Sequence, residues 1–150
     1  MIQIRQLPAS DIARLAEVDR SEHVRVGYTC RDGVLQAREV DWRVPAWRTE
    51  GEGPHSLRAM VRSCTEALEA GGILLGALDG ERLAGVAILR LRLTQRMAQL
   101  AFLHISRPYR RQGIAARLLA EASRLARLDG ARTLYVSATE SGSAVGFYLS

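Results

Sequence analysis

The sequence predicts a mixed α/β domain of the α+β kind, and three observations carry that reading. Apolar runs of strand length alternate with segments of helical periodicity. Asp-Gly pairs stand between consecutive strand-like runs, as hairpin turns require. The second half then closes with a strand, an amphipathic helix and a further strand.

Taken in order, "IQIRQL" alternates apolar and polar residues and reads as a first strand ended by Pro8. Ser10 is placed to cap a helix over "DIARLAEVDR", with Ile12, Leu15 and Ala16 on one face. "HVRVGYTCRDGVLQAREV" reads as two short strands around Asp32-Gly33, followed by a loop, "DWRVPAWRTEGEGP", that holds both Trp42 and Trp47. A helix follows over residues 55–70, with Leu57, Val61, Cys64 and Leu68 inward, and Gly71-Gly72 stop it. "ILLGALDGERLAGVAILRLRL" is a hairpin turning at Asp79-Gly80, and "RMAQLAFLHISRP" is a more continuously apolar, central strand. The next helix starts near Gly113 and turns Ile114, Leu118, Leu119, Ala122 and Leu125 inward; "ARTLYVSA" is a strand and "SGSAVGFYLS" starts a last helix.

At 150 residues the chain suits one domain with a real core. Its 47% hydrophobic and 25% charged residues place it among globular proteins, with no apolar run long enough for a membrane helix and no signal-peptide core. Cys30 and Cys64 stand apart without CxxC or metal-ligand spacing, so they read as free core thiols in a reducing cytoplasm, and no metal site is expected. The formal charge is +5 and all 21 basic residues are arginine, the signature of a GC-rich codon bias. Scattered arginines without basic-aromatic interleaving argue against nucleic acid as a partner.

One stretch stands out, "SRPYRRQGIAARLL", at the junction of the central strand and its helix. Gly113 lets backbone approach a ligand, and Ala115 and Ala116 are too small to block it. The first amides of a helix lack intrahelical acceptors and favour a phosphate, and Arg110 and Arg111 add formal charge beside them. A solvated turn needs no small residue at Ala115.

"YRRQGIAARLL" resembles the pyrophosphate-binding motif Q/R-x-x-G-x-G/A of the GCN5-related N-acetyltransferases (GNAT), with Arg110, Gly113 and Ala115 at its fixed positions. The resemblance runs upstream through "LAFLHIS" and downstream through "LYVSATESGSAVGFY", where Ala144, Phe147 and Tyr148 match the family's second cofactor motif. Ser141 stands where the family has Asn, and either residue caps a helix. The resemblance implies a GNAT fold over residues 1–150: a mostly antiparallel central sheet with helices on both faces. It implies acetyl-CoA as cofactor and acetyl transfer to an amine of a small molecule or peptide.

By the same resemblance, the backbone of Leu103 and Ile105 pairs with the pantetheine arm and thioester carbonyl, where a donor steadies developing negative charge. The amides of Gln112, Gly113, Ile114, Ala115 and Ala116 hold the pyrophosphate, and Tyr148 serves the leaving thiolate as proton donor. His104 reads either as the general base or as a buried structural group, with Glu22, Glu140 or a water chain as fallback. Glu22, Tyr28, Trp42 and Trp47 lie where the family builds its acceptor site; the tryptophans either line that pocket or lid the core. A non-catalytic acyl-CoA sensor of the same fold is the rival reading; it would not need Tyr148. The family continues past the Phe-Tyr pair into two more strands, while this sequence stops at Ser150. The expectation is a truncated form of a longer protein, or a second copy of the chain covering the edge as a homodimer.

Overall fold

The computed structural model describes residues 1–53, 55–136 and Tyr148, and these fall into two compact units. The first comprises Met1–Arg20 and Ala46–Val136; the second holds Ser21–Pro45 together with Tyr148. Strand β1 (Ile2–Leu7) is followed by a 3-10 helix (Ala9–Glu17), then β2 (Glu22–Arg31) and β3 (Val34–Val44). Helix α1 (Leu57–Glu69) precedes β4 (Ile73–Asp79), β5 (Arg82–Thr94) and β6 (Met97–Ile105). A short 3-10 turn (Arg107–Tyr109), helix α2 (Ile114–Leu128) and β7 (Thr133–Val136) complete the described elements.

The first unit is a five-stranded sheet in the order β1-β4-β5-β6-β7. Every pairing is antiparallel except β6 with β7, which is parallel and is bridged by α2 as such a crossover requires. The β4–β5 hairpin turns through Gly80 and Glu81, with Gly80 at φ +61. Ile88 faces Phe102 and Leu89 faces Leu100, so Ala101 is an extra residue that bulges β6.

Both sheet faces are covered. Ile12, Leu15, Val18, Cys64, Leu68, Leu74, Val86 and Ile88 belong to one core cluster under the 3-10 helix and α1. On the other face, the absent Cβ of Gly85 leaves room for Ile105 and Leu118, and α2 buries Ile114, Leu118, Ala122 and Ala126 at four-residue intervals. Burying one such leucine contributes about 1.5–3 kcal/mol.

Three local expectations change. The first helical segment is 3-10 rather than α: Ile12, Leu15 and Val18 are buried at three-residue spacing while Ala16 is exposed. Its start follows Pro8 with no side-chain cap, so Ser10 is not an N-cap. The third is the start of α1, at Leu57 rather than residue 55, where Ser56 is the N-cap, its Oγ accepting from the amide of Ala59 at 3.0 Å.

The second unit contains a two-stranded ribbon, β2 with β3, closed by Asp32 (φ +51) and Gly33 (φ +77), the backbone of a type I′ turn. The ribbon is longer than two short strands. It takes in Trp42, which therefore lies in β3 opposite Val24 rather than in a loop. Its register slips between Val24 and Val26, leaving one more residue on β3 than on β2. Trp42 fills the space a side chain at Gly27 would need, 2.7 Å from an ideal Cβ. Cys30, expected in a core, is exposed; only Cys64 is buried, and burial pushes its thiol up to about 11.

Candidate active site

The C-terminal half of β6 presents two edges with different fates. The amide of Ser106 donates to the carbonyl of Ala84 at 2.8 Å, which fixes the alternation of the strand. His104 must then aim its backbone N–H and C=O at β5, and Leu103 and Ile105 aim theirs away from it. β7 pairs only with Met97 to Leu100, so among the described residues the outward groups of Leu103 and Ile105 meet no strand. One is already engaged: the Ile105 carbonyl accepts from Arg110 Nε at 3.0 Å.

Beyond β6 the chain turns sharply. Ser106 is buried, and its Oγ accepts from the amide of Asp19 at 2.9 Å. The amide of Arg107 donates to the Asp19 carbonyl at 2.9 Å, and Arg110 Nη2 donates to the same carbonyl at 3.2 Å. Tyr109 donates from its hydroxyl to Asp79 Oδ2 at 2.7 Å, which ties the 3-10 turn to the end of β4. Arg110 and Arg111 are therefore not a matched pair. Arg110 turns inward onto backbone carbonyls, whereas Arg111 is exposed and adopts a left-handed φ of +60.

Gly113 is the N-cap of α2 in the left-handed region, φ +77, and an added Cβ would meet none of the described residues within 4 Å. It makes no side-chain cap, and the first turn of α2 carries no acidic residue. Among the described residues the amides of Ile114, Ala115 and Ala116 thus open α2 without a side-chain acceptor, with Ala115 half-buried, Ala116 exposed and only the Ile114 side chain turned into the core. Gln112 is exposed, and its Nε2 donates to the carbonyl of Pro108.

On the opposite face of β6 from Ile105, His104 stands in an aromatic wall. Its ring lies 4.6 Å from Phe102 and 5.8 Å, edge-on, from Trp47. Arg20 stacks its guanidinium 3.9 Å from the Trp47 ring centre and reaches His55 Nδ1 at 2.5 Å. Burial, then the charges of Arg20 and Arg110, lower the His104 pKa to about 4, so its imidazole is neutral at pH 7. Trp47 is buried in the core cluster, and among the described residues its Nε1 finds no acceptor.

In the second unit Glu22 opens β2, Tyr28 pairs with Ala37, and Trp42 lies over Gly27 with Arg38 5.6 Å from its ring centre. The ribbon also joins His23 Nε2 to Asp41 Oδ1 at 2.5 Å, a pair the sequence does not announce because the bulge brings it together. Tyr148 is helical and half-buried, and burial raises its phenol above the usual value of 10.0. Ser141 and Glu140 lie outside the described residues. Sequence reasoning missed Asp19, Ser106 and Arg20; Asp19 takes part through backbone atoms, which leave no mark on residue type.

The model of the acetyltransferase (GNAT) family matches residues 36–150. The chain belongs to that family. Among solved structures the acetyltransferase resembles a Bacillus anthracis protein assigned as a streptothricin acetyltransferase, in complex with acetyl coenzyme A. That likeness has a TM-score of 0.74 at 18% identity over 99% of this chain and 82% of that one. Nourseothricin acetyltransferase follows at 0.73 and 16%, covering 99% and 80%. PaiA N-acetyltransferase from Thermoplasma acidophilum, in complex with coenzyme A, matches at 0.62 and 19%, covering 99% and 87%. At these identities the likeness fixes the fold. No protein of curated function matches the sequence.

Acetyl-CoA is the cofactor of this acetyltransferase. The residues fit it: an open glycine at the helix start, first-turn amides with no side-chain cap among the described residues, exposed Arg111 and a β6 edge that meets no described strand suit a polyphosphate on an amide-bearing arm. Among the described residues no cluster of His, Cys, Asp or Glu could hold a metal ion, and no helix is long and apolar enough to cross a membrane.

Proposed function

We propose that the enzyme, as one catalytic domain, transfers acetyl directly to the primary amine of a small-molecule or peptide acceptor. The carrying observation is the left-handed, sterically open Gly113 at the uncapped start of α2. Amides from Gln112 to Ala116 hold the pyrophosphate, and Arg111 screens its charge. The N–H groups of Leu103 and Ile105 orient the pantetheine arm and the thioester carbonyl.

Acetyl-CoA, when bound, supplies an activated acyl group. Tyr148 keeps its proton at neutral pH because burial raises its phenol, and it delivers that proton to the departing thiolate. His104 has too little basicity to deprotonate an ammonium: its pKa of about 4 leaves little driving force. It serves as a neutral wall beside Trp47, and proton removal falls to Glu22, to Glu140 or to water. Glu22, Tyr28 and Trp42 of the ribbon contact the acceptor. The exposed Cys30 thiol suits a reducing cytoplasm.

Gly113→Asp tests the cofactor site. It places bulk and negative charge where the pyrophosphate lies, so CoA binding by calorimetry should fall by at least about 100-fold. Binding as tight as the parent's places the site elsewhere. Tyr148→Phe should keep CoA affinity and lower turnover about 100-fold, with the acceptor found by thiol release across an amine panel. Unchanged turnover with chemistry rate-limiting removes Tyr148 from the mechanism.

A further inference from the structure

The side chain of Arg110 joins two backbone carbonyls, at Ile105 and Asp19, to the turn from which it springs. Nε donates to the carbonyl of Ile105 at 3.0 Å, the last residue of β6. Nη2 donates to the carbonyl of Asp19 at 3.2 Å, and the Asp19 amide in turn donates to buried Ser106 Oγ. Its own backbone lies at the end of the turn that leads to Gly113. A planar fork with fixed N–H directions suits this task; a lysine ammonium on a flexible stem does not.

We infer that Arg110 is a positioning residue, a latch that holds the β6 edge and the α2 phosphate turn in register, rather than a cation that binds the pyrophosphate. The inference rests on the reading of that edge and that turn as the two halves of the cofactor site. With the Ile105 carbonyl held by Arg110, the same residue's N–H keeps its direction away from β5, where the pantetheine arm lies. With Asp19 held by Ser106, Arg107 and Arg110 together, the turn cannot drift from the strand that precedes it. The two halves are then pre-set at one spacing, which lowers the ordering cost of binding a ligand that spans both.

The distinction is chemical, because pantetheine carries the amide arm without the pyrophosphate. A latch predicts that Arg110→Gln weakens pantetheine and CoA alike, by about tenfold each, in titrations followed by amide chemical shifts. Arg110→Lys, which keeps the charge and loses the fork, stays weakened for both ligands. Ser106→Ala removes no cation and should weaken both in the same way, while thermal unfolding shows the variant folded; it also stands in if Arg110→Gln does not fold. Loss of CoA affinity with unchanged pantetheine affinity, or recovery in Arg110→Lys, makes Arg110 a phosphate ligand and overturns the latch. Unchanged affinity for both ligands in all three variants overturns it too. A parent that binds neither ligand would instead defeat the cofactor site itself.

Discussion

The five-stranded sheet and the two-stranded ribbon use the same apolar residue types to opposite effect. In β5 every side chain from Leu83 to Leu89 is buried, because helices cover both faces of the sheet. In the ribbon Val26, Val34 and Leu35 are 40%, 58% and 47% exposed. Two strands alone have too little surface to build a core. An apolar residue therefore takes its energetic meaning from the layers around it, and four substitutions test how far that contrast reaches.

The largest effect belongs to the sheet. Leu75 is fully buried, so Leu75→Ala should cost about 2–5 kcal/mol in denaturant unfolding. A cost below about 1 kcal/mol would mean that the sheet interior collapses freely around the cavity.

The second effect depends on acid. Burial holds the His104 pKa at about 4, while the unfolded chain titrates near the ordinary 6.5. Between those values the unfolded chain binds a proton that the fold refuses. Stability present above pH 6.5 is thus lost as pH falls toward 4, by on the order of 3 kcal/mol. His104→Phe should flatten that limb in unfolding curves measured from pH 7 to 4; an unchanged limb assigns it to another group.

The ribbon's own packing is worth less. An alanine at Gly27 would bring Cβ within 2.7 Å of the Trp42 ring, but the ring is 36% exposed and can swing outward. Gly27→Ala should cost about 1 kcal/mol and shift Trp42 fluorescence, read in a Trp47→Phe background. The smallest effect is that of Leu35→Ala, below about 0.5 kcal/mol at an exposed position. A cost that grows with protein concentration would show the ribbon covered by a second copy of the chain.

Legibility followed the same division. β4, β5, β6 and α2 were readable because burial and periodicity are local signals, and the start of α2 at Gly113 was readable because a glycine before an amphipathic run marks a turn. The 3-10 helix was misread because spacings of three and four overlap in so short a segment, and only the burial of Val18 decides between them. Trp42 was assigned to a loop because the β3 bulge breaks the alternation that marks a strand. The inward turn of Arg110 could not be read at all, since its acceptors are backbone carbonyls at Asp19 and Ile105.

The register of β1 bears on how the chain finds this fold. Leu7 meets Leu74 and Ile2 meets Asp79, so the edge strand waits for a partner about seventy residues downstream. The β2–β3 hairpin, with a two-residue turn, pairs residues close in sequence and can form within about microseconds. During synthesis β1 leaves the ribosome before β4 and is paired only after β4 has emerged. Until then Ile2 and Ile4 have no sheet to join, and the unmatched strand is open to premature association.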